Sequence, residues 1–253
     1  NVGSSGSDSY VAWCWDAGSS TASNTDGSIT SSVRASQTAG FSIVSYTGTG
    51  SAGTVGHGLN ADMGMVITKT RESANGWIVW HSSFSNLTNN YLQLNLTDAV
   101  GTLSNYWGSG GVTNSVFGLG TYTGNNTSGE GMIAYCFAPV EGYSAFGSYT
   151  GNGSNDGPFV FTGMSPKFIL AKIVSGNTDD WIIYDIERSS FNAADDELYP
   201  NRSSAEVSGF RPIDILSNGF KIRNTSNKWN GASGYEYIYA AFAEHPFRHA
   251  RAR

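Results

Sequence analysis

The strings "FSIVSYTGTG", ending at Gly50, and "YSAFGSYTGNG", ending at Gly153, spell nearly the same turn, with Tyr46 and Tyr149 103 positions apart. The residues that follow keep matching. "MVITK" from Met65 falls on "FILAK" from Phe168 at an offset of 103, and "WIVW" from Trp77 on "WIIY" from Trp181 at 104. "LQLNLTDA" from Leu92 meets "LYPNRSSA" from Leu198 at 106, and Trp107 and Phe117 meet Phe210 and Phe220 at 103. "IAYCFA" from Ile133 meets "IYAAFA" from Ile238 at 105. Anchors in one order with an offset confined to 103–106 exceed what composition produces, so the chain is an internal duplication with small loop insertions.

The closing motif occurs a third time, as "VAWCW" from Val11 to Trp15. In both full repeats it is the last element, which reads residues 1–39 as the end of an upstream module, with its closing strand, plus a linker or hairpin. Residues 40–142 are then the first repeat and 143–253 the second, ending in a short basic tail. Cys14 and Cys136 hold the same register of that motif. Equivalent positions of neighbouring modules lie a module length apart, beyond the roughly 7 Å Cα limit for a disulfide, so both are expected as small, buried, unbonded thiols.

The segments "GMVITK", "WIVW", "YLQLNL", "SVFGLG", "GMIAYCFA" and their partners are short, β-branched and aromatic, and bounded by Gly, Asn or Ser-Gly. They predict an all-β chain of two tandem antiparallel sandwich or jelly-roll-like domains. Alternation places Trp77, Val79, Trp181 and Ile183 on one face and Ile78, Trp80, Ile182 and Tyr184 on the other, so these strands are apolar on both faces and belong at the centre of a covered sheet. Within residues 16–38, "GSITSSV" predicts an edge strand, and "SSFNAADDELY" from Ser189 predicts one or two helical turns. No long linker separates the repeats, which implies that they pack together.

Only 13% of residues are charged, and the net charge is −6, with 14 Lys and Arg against 20 Asp and Glu. That balance excludes a nucleic-acid role, which needs clustered cations. The one basic cluster is the tail with Arg248, Arg251 and Arg253. No apolar run approaches the roughly 18 residues of a spanning helix, which predicts no membrane insertion.

The run "FSIVSYTGTGSAGTVGHGL", the "GWIVWHSS" strand and the junction "IAYCFAPVEGYSAFGSYTGNGSNDGPFVFTG" resemble a bacteriophage tail-fibre C-terminal domain family, a domain of unknown function in phage and marine-virus structural proteins. The resemblance covers Tyr10 to Phe247. Where relatives carry a Pro in the loop before the "MVITK" strand this chain has "GLNADMGMVITK", although the second repeat keeps Pro166. The resemblance implies a virion tail-fibre part facing a host surface glycan or protein, extracellular, as a homo-oligomer and specifically a trimer. It supplies no catalytic residues and no cofactor. A glycan-acting depolymerase and a bacterial surface adhesin or filament subunit are the alternatives.

The residues themselves carry little chemistry. His57 sits in a Gly-rich turn, His81 ends a strand and aligns with Asp185, and His245 and His249 lie in the tail. The carboxylates Asp179-Asp180 and Asp195-Asp196-Glu197 have no counterpart in the first repeat. They could bracket a sugar as glycosidase carboxylates do, but a solvated or calcium-binding loop is the simpler reading. Aromatic residues in polar loops suit the apolar faces of sugars. Trp229 in "SNKWNGASG", flanked by Asn227 and Asn230, has no aromatic equivalent in the first repeat and is the leading candidate. Tyr106-Trp107 in "SNYWGSGG" and the insertion bearing Asp195 and Asp196 follow, with Trp107 also readable as core.

Overall fold

The computed structural model describes residues 10–209 and 212–243. Phe210, the tail histidines and the basic tail lie outside the described residues. The described chain opens with a hairpin of β1 (Thr21–Asn24) and β2 (Ser31–Ser36); "GSITSSV" supplies β2, which is not the edge expected of it but pairs on both sides, leaving β1 at the edge. The first lobe follows with β3 (Phe41–Thr47), β4 (Gly53–Gly56), β5 (Met65–Thr70), β6 (Ile78–His81), β7 (Asn90–Gln93), β8 (Gly101–Thr102), β9 (Val116–Leu119), the single helical turn α1 (Thr123–Asn126) and β10 (Gly131–Phe137). The second has β11 (Ser144–Thr150), β12 (Phe159–Phe161), β13 (Phe168–Ser175), β14 (Ile182–Asp185), β15 (Ile213–Leu216), β16 (Gly219–Ile222), the turn α2 (Asn227–Asn230) and β17 (Glu236–Phe242).

The strand order β3-β10-β5-β6 of the first lobe returns as β11-β17-β13-β14 in the second. The first sheet is wider, because β7 and β8 extend one edge and β2 and β1 the other. Register returns as well. Ile133 opposite Lys69 becomes Ile238 opposite Lys172, and Met65 opposite His81 becomes Phe168 opposite Asp185. The second layer is β4-β9 in the first lobe and β12-β16-β15 in the second, with Val55 opposite Phe117 becoming Val160 opposite Phe220. Each lobe is an antiparallel all-β sandwich. The repeat in the sequence is a repeat of topology and pairing.

The period of two along a strand separates the two faces. In the second lobe Ile169, Ala171, Ile182, Tyr184, Tyr239 and Ala241 face inward, onto Val160, Phe220, Ile222 and Trp229. Phe168, Leu170, Trp181, Ile183, Ile238, Ala240 and Phe242 face the other way and join the core of the first lobe. The lobes are therefore packed together rather than tethered. Trp181 Nε1 donates to Gln93 O at 2.9 Å and His81 Nε2 lies 3.1 Å from Tyr239 O, both across that interface.

Three further expectations need correction. Val11–Trp15 lies in no strand. It is instead a packed segment whose Trp15 sits against Phe41, Phe137, Phe168 and Phe242. Cys14 is consequently exposed while Cys136 is buried, and both are unbonded. The stretch from Ser189 to Tyr199 forms no helix; it is tied down by isolated bridges at Ala194, Glu197 and Leu198, so backbone pairing with neighbouring segments overrides its local preference. Among the described residues no helix is long and apolar enough to cross a membrane.

His81 gives this interface a pH dependence. Its Nδ1 accepts the Ser83 N–H at 3.1 Å while Nε2 faces the Tyr239 carbonyl, an arrangement that requires the neutral ring. Burial lowers its pKa from 6.5 to about 4, against a smaller opposing effect of the Tyr239 hydrogen bond. The unfolded chain therefore binds a proton that the folded chain refuses between those values, and stability must fall as pH drops through that window. The contribution is on the order of 3 kcal/mol. Urea unfolding at pH 7 and pH 4.5 should show a midpoint loss that is smaller in His81→Gln; an equal loss in both proteins would contradict the assignment.

Candidate functional site

The turn that the sequence spells twice is held by one side chain in each lobe. In the first, Asn126 at the end of α1 accepts the Thr49 N–H on Oδ1 at 2.8 Å and donates Nδ2 to Ser51 O at 2.8 Å and Gly120 O at 2.6 Å. In the second, Asn230 at the end of α2 accepts the Asn152 N–H at 2.7 Å and donates to Ser154 O at 2.7 Å, Asn152 Oδ1 at 2.9 Å and Asn224 O at 3.1 Å. The tyrosine of the motif reaches the preceding residue of the same helical turn: Tyr46 OH donates to Asn125 O at 2.7 Å and Tyr149 OH to Trp229 O at 3.0 Å. Gly50 and Gly153 both carry φ near +65°, at 68° and 65°, which glycine adopts without strain. A β-carbon on Gly48 would lie 2.1 Å from Thr127 O, so that glycine is required by close approach. The motif is a clamped turn, and its polar groups are consumed internally.

Trp229 is thereby placed. It is the structural equivalent of Asn125, it is 0% exposed, and its ring packs 5.3 Å from Tyr184 inside the second core. The reading of Trp229 as an exposed sugar platform does not hold, because the helical turn tucks the indole under the sheet. Asn230 is buried in the clamp, and Asn227 alone of the three is exposed.

Trp107 is core, with Nε1 donating to Asn90 O at 3.0 Å. Tyr106 is buried beside it, stacked on Tyr91 at 4.5 Å and against Tyr122 at 4.8 Å. Asp196 accepts from Ser189 Oγ at 2.8 Å and Ser208 Oγ at 2.7 Å, and Asp195 stands partly exposed beside it. Glu197 of the same insertion is buried, accepting from the hydroxyls of Tyr184 and Tyr199, with Lys228 Nζ 3.6 Å away. Burial and that carboxylate push both phenols above their ordinary range. Asp180 is also buried, held by Arg202 Nε at 2.6 Å and Asn201 Nδ2 at 2.8 Å. These carboxylates brace loops, and among the described residues no three His, Cys, Asp or Glu are grouped to hold a metal ion.

An exposed aromatic surface lies on β12. Phe159 and Phe161 flank the buried Val160 and are 46% and 65% exposed, and Phe191 is 85% exposed. Phe159 stands opposite Lys221, which stands opposite Asp214, so an aromatic ring, an ammonium and a carboxylate form one outward row across β12, β16 and β15. Asp214 is paired with Arg223 at 2.5 Å and Lys221 with Asp156 at 2.8 Å. The first lobe has Thr54 and Gly56 in place of the two phenylalanines. The signal for this surface in the sequence is that "GPFVFTG" carries two aromatic residues where the first repeat has none.

A family model described as "Domain of unknown function (DUF7483)" matches residues 1–246. The chain belongs to the DUF7483 family. No curated protein and no solved structure matches it. In the DUF7483 fold as this chain builds it, the clamp and the shared core are the features held in common by both lobes, and the β12 ridge is particular to one.

Substitutions should separate clamp from surface. Trp229→Ala empties a fully buried site and is expected to cost about 3–5 kcal/mol. Asn230→Ala removes four hydrogen bonds made by a fully buried side chain and should cost on the order of 2–3 kcal/mol, whereas Asn227→Ala should stay within about 0.5 kcal/mol. Chemical denaturation of the three variants checks this; a neutral Asn230→Ala would remove the clamp from the account.

Proposed function

We propose that this chain is a structural part of a phage tail fibre, working as a homo-oligomer outside the cell, and that it attaches to host-surface glycans through the β12 ridge. The observation that carries the reading is the exposure of Phe159 and Phe161 on a strand whose first-lobe counterpart is small and polar. Shared residues are accounted for by the shared fold; a pair of solvent-facing rings is not. Large exposed apolar side chains gathered on one strand mark interaction surfaces. The apolar C–H face of a pyranose stacks on such rings, and Lys221 and Asp214 in the adjoining row can take its hydroxyls. The weak overall charge also leaves little repulsion between copies.

Phe161→Ala and Phe159→Ala should leave the thermal midpoint close to that of the parent, since each ring is largely in solvent. Both should weaken adsorption to host cells and to purified surface polysaccharide. Undiminished adsorption by the double variant would overturn the assignment of the ridge, and release of reducing ends from the polysaccharide would replace the attachment reading with a glycan-cleaving one.

A further inference from the structure

The outer face of the second lobe shows what such a face requires. Its upper row of Ile238, Lys172 and Trp181 is buried under residues 93–100 of the first lobe. Trp181 Nε1 donates to Gln93 O at 2.9 Å, Lys172 Nζ to Thr97 O at 3.0 Å, and the Val100 N–H to Val174 O at 3.2 Å. By register the same row in the first lobe is Ile133, Lys69 and Trp77. There it lies open. Trp77 is 37% exposed and stacked on Tyr135 at 6.3 Å, and its indole N–H donates to no described residue. Lys69 Nζ donates to Thr70 O, as Lys172 does to Ile173 O, but its other bond goes to Ser73 O of its own lobe. Among the described residues, no segment covers this row of the first lobe as residues 93–100 cover its counterpart.

A second observation places the partner. Trp15, Phe137 and Phe242 are the same position in three copies of one motif. They meet as a triangle, with ring centroids 6.0 Å (Trp15–Phe137), 5.8 Å (Phe137–Phe242) and 5.4 Å (Trp15–Phe242) apart. His81 of the first lobe touches the closing strand of the second at Tyr239 O. Asp185, its equivalent in the second lobe, accepts Trp13 Nε1 of the Val11–Trp15 motif at 3.1 Å. Trp15 in turn packs on Phe41 of the first lobe at 6.5 Å, which closes the circuit. The order is cyclic with three places, and the Val11–Trp15 motif holds the third. The second lobe's counterpart of residues 97–100, residues 203–206, is exposed and faces no lobe.

We propose that a third copy of the repeat, joined to this chain through Val11–Trp15, docks on the Trp77–Lys69 row and completes a three-lobed ring. A second copy of the chain fits less well, because Val11–Trp15 already fills the seat that a docking lobe must fill with its own closing motif. The surface involved is distinct from the β12 ridge, and nothing in the argument depends on what that ridge binds.

Hydroxyl-radical footprinting tests this on the 253-residue chain, the shorter chain, and on the full product of its gene, the longer one. Trp77 should be labelled in the shorter chain and lose its label in the longer one, with Trp181 protected in both. Trp77→Glu should lower the thermal midpoint of the shorter chain only modestly, through loss of the Tyr135 stacking, and should restore labelling of Tyr135 in the longer. Equal labelling of Trp77 in the two, or a preceding sequence without a third repeat, overturns the proposal. So does protection of Trp77 that appears in the shorter chain with rising concentration, which would assign the surface to a second copy.

Discussion

A strand that is apolar on both faces has to be covered twice, and this requirement organises the molecule. Ile182 and Tyr184 are covered within their own lobe, by Trp229 and the β12-β16-β15 layer. Trp181 and Ile183 point away from that layer and cannot be covered by anything in the same sandwich. Only a second lobe can do it. Burying such side chains stabilises by roughly 1.5–3 kcal/mol each, and leaving the row in water would forfeit that at Trp181, Ile183, Leu170 and Ile238 together. The lobes are consequently a pair by necessity, and the short junction between Phe137 and Ser144 leaves no slack for them to separate.

The clamped turn is the local counterpart of that constraint. Folding β3 and β11 against the closing strands leaves a Gly-rich turn whose backbone groups need partners. Asn126 and Asn230 supply both a donor and an acceptor from one amide, which no apolar residue could do. This is why "SYTGTGS" and "SYTGNGS" persist when the surrounding loops diverge. It also removes these loops from consideration as binding sites, since the polar atoms that looked free in the sequence are already bonded.

Much of the fold could be read directly. The offset ladder reported the duplication because core pairs such as Phe117 and Phe220 tolerate little change, and period-two alternation separated the two faces of β14, although β14 ends its sheet rather than lying at the centre and Trp77, just ahead of β6, is exposed. What escaped was placement in three dimensions. Trp229 sits in a polar, Gly-rich string and has a polar counterpart, Asn125, so it looked like a surface aromatic. The lobes fill that position differently, with an indole in one and an amide in the other. The pairing of Asn126 with Asn230 at an offset of 104, inside the ladder, was the signal that would have located it. Val11–Trp15 was recognised as a closing motif but not as coil, because strand formation depends on a neighbouring strand that the described residues do not provide there. The β12 ridge was invisible for the opposite reason: a strand residue's exposure depends on which layer lies over it.

The central claim is that the outer face of the second sheet makes the two lobes one cooperative unit. Differential scanning calorimetry of the parent chain measures this directly. The account predicts a single transition whose calorimetric and van't Hoff enthalpies agree, and which moves as a whole to lower temperature in Trp181→Ala. Two resolved transitions, with only the second-lobe one shifted by that substitution, would contradict it.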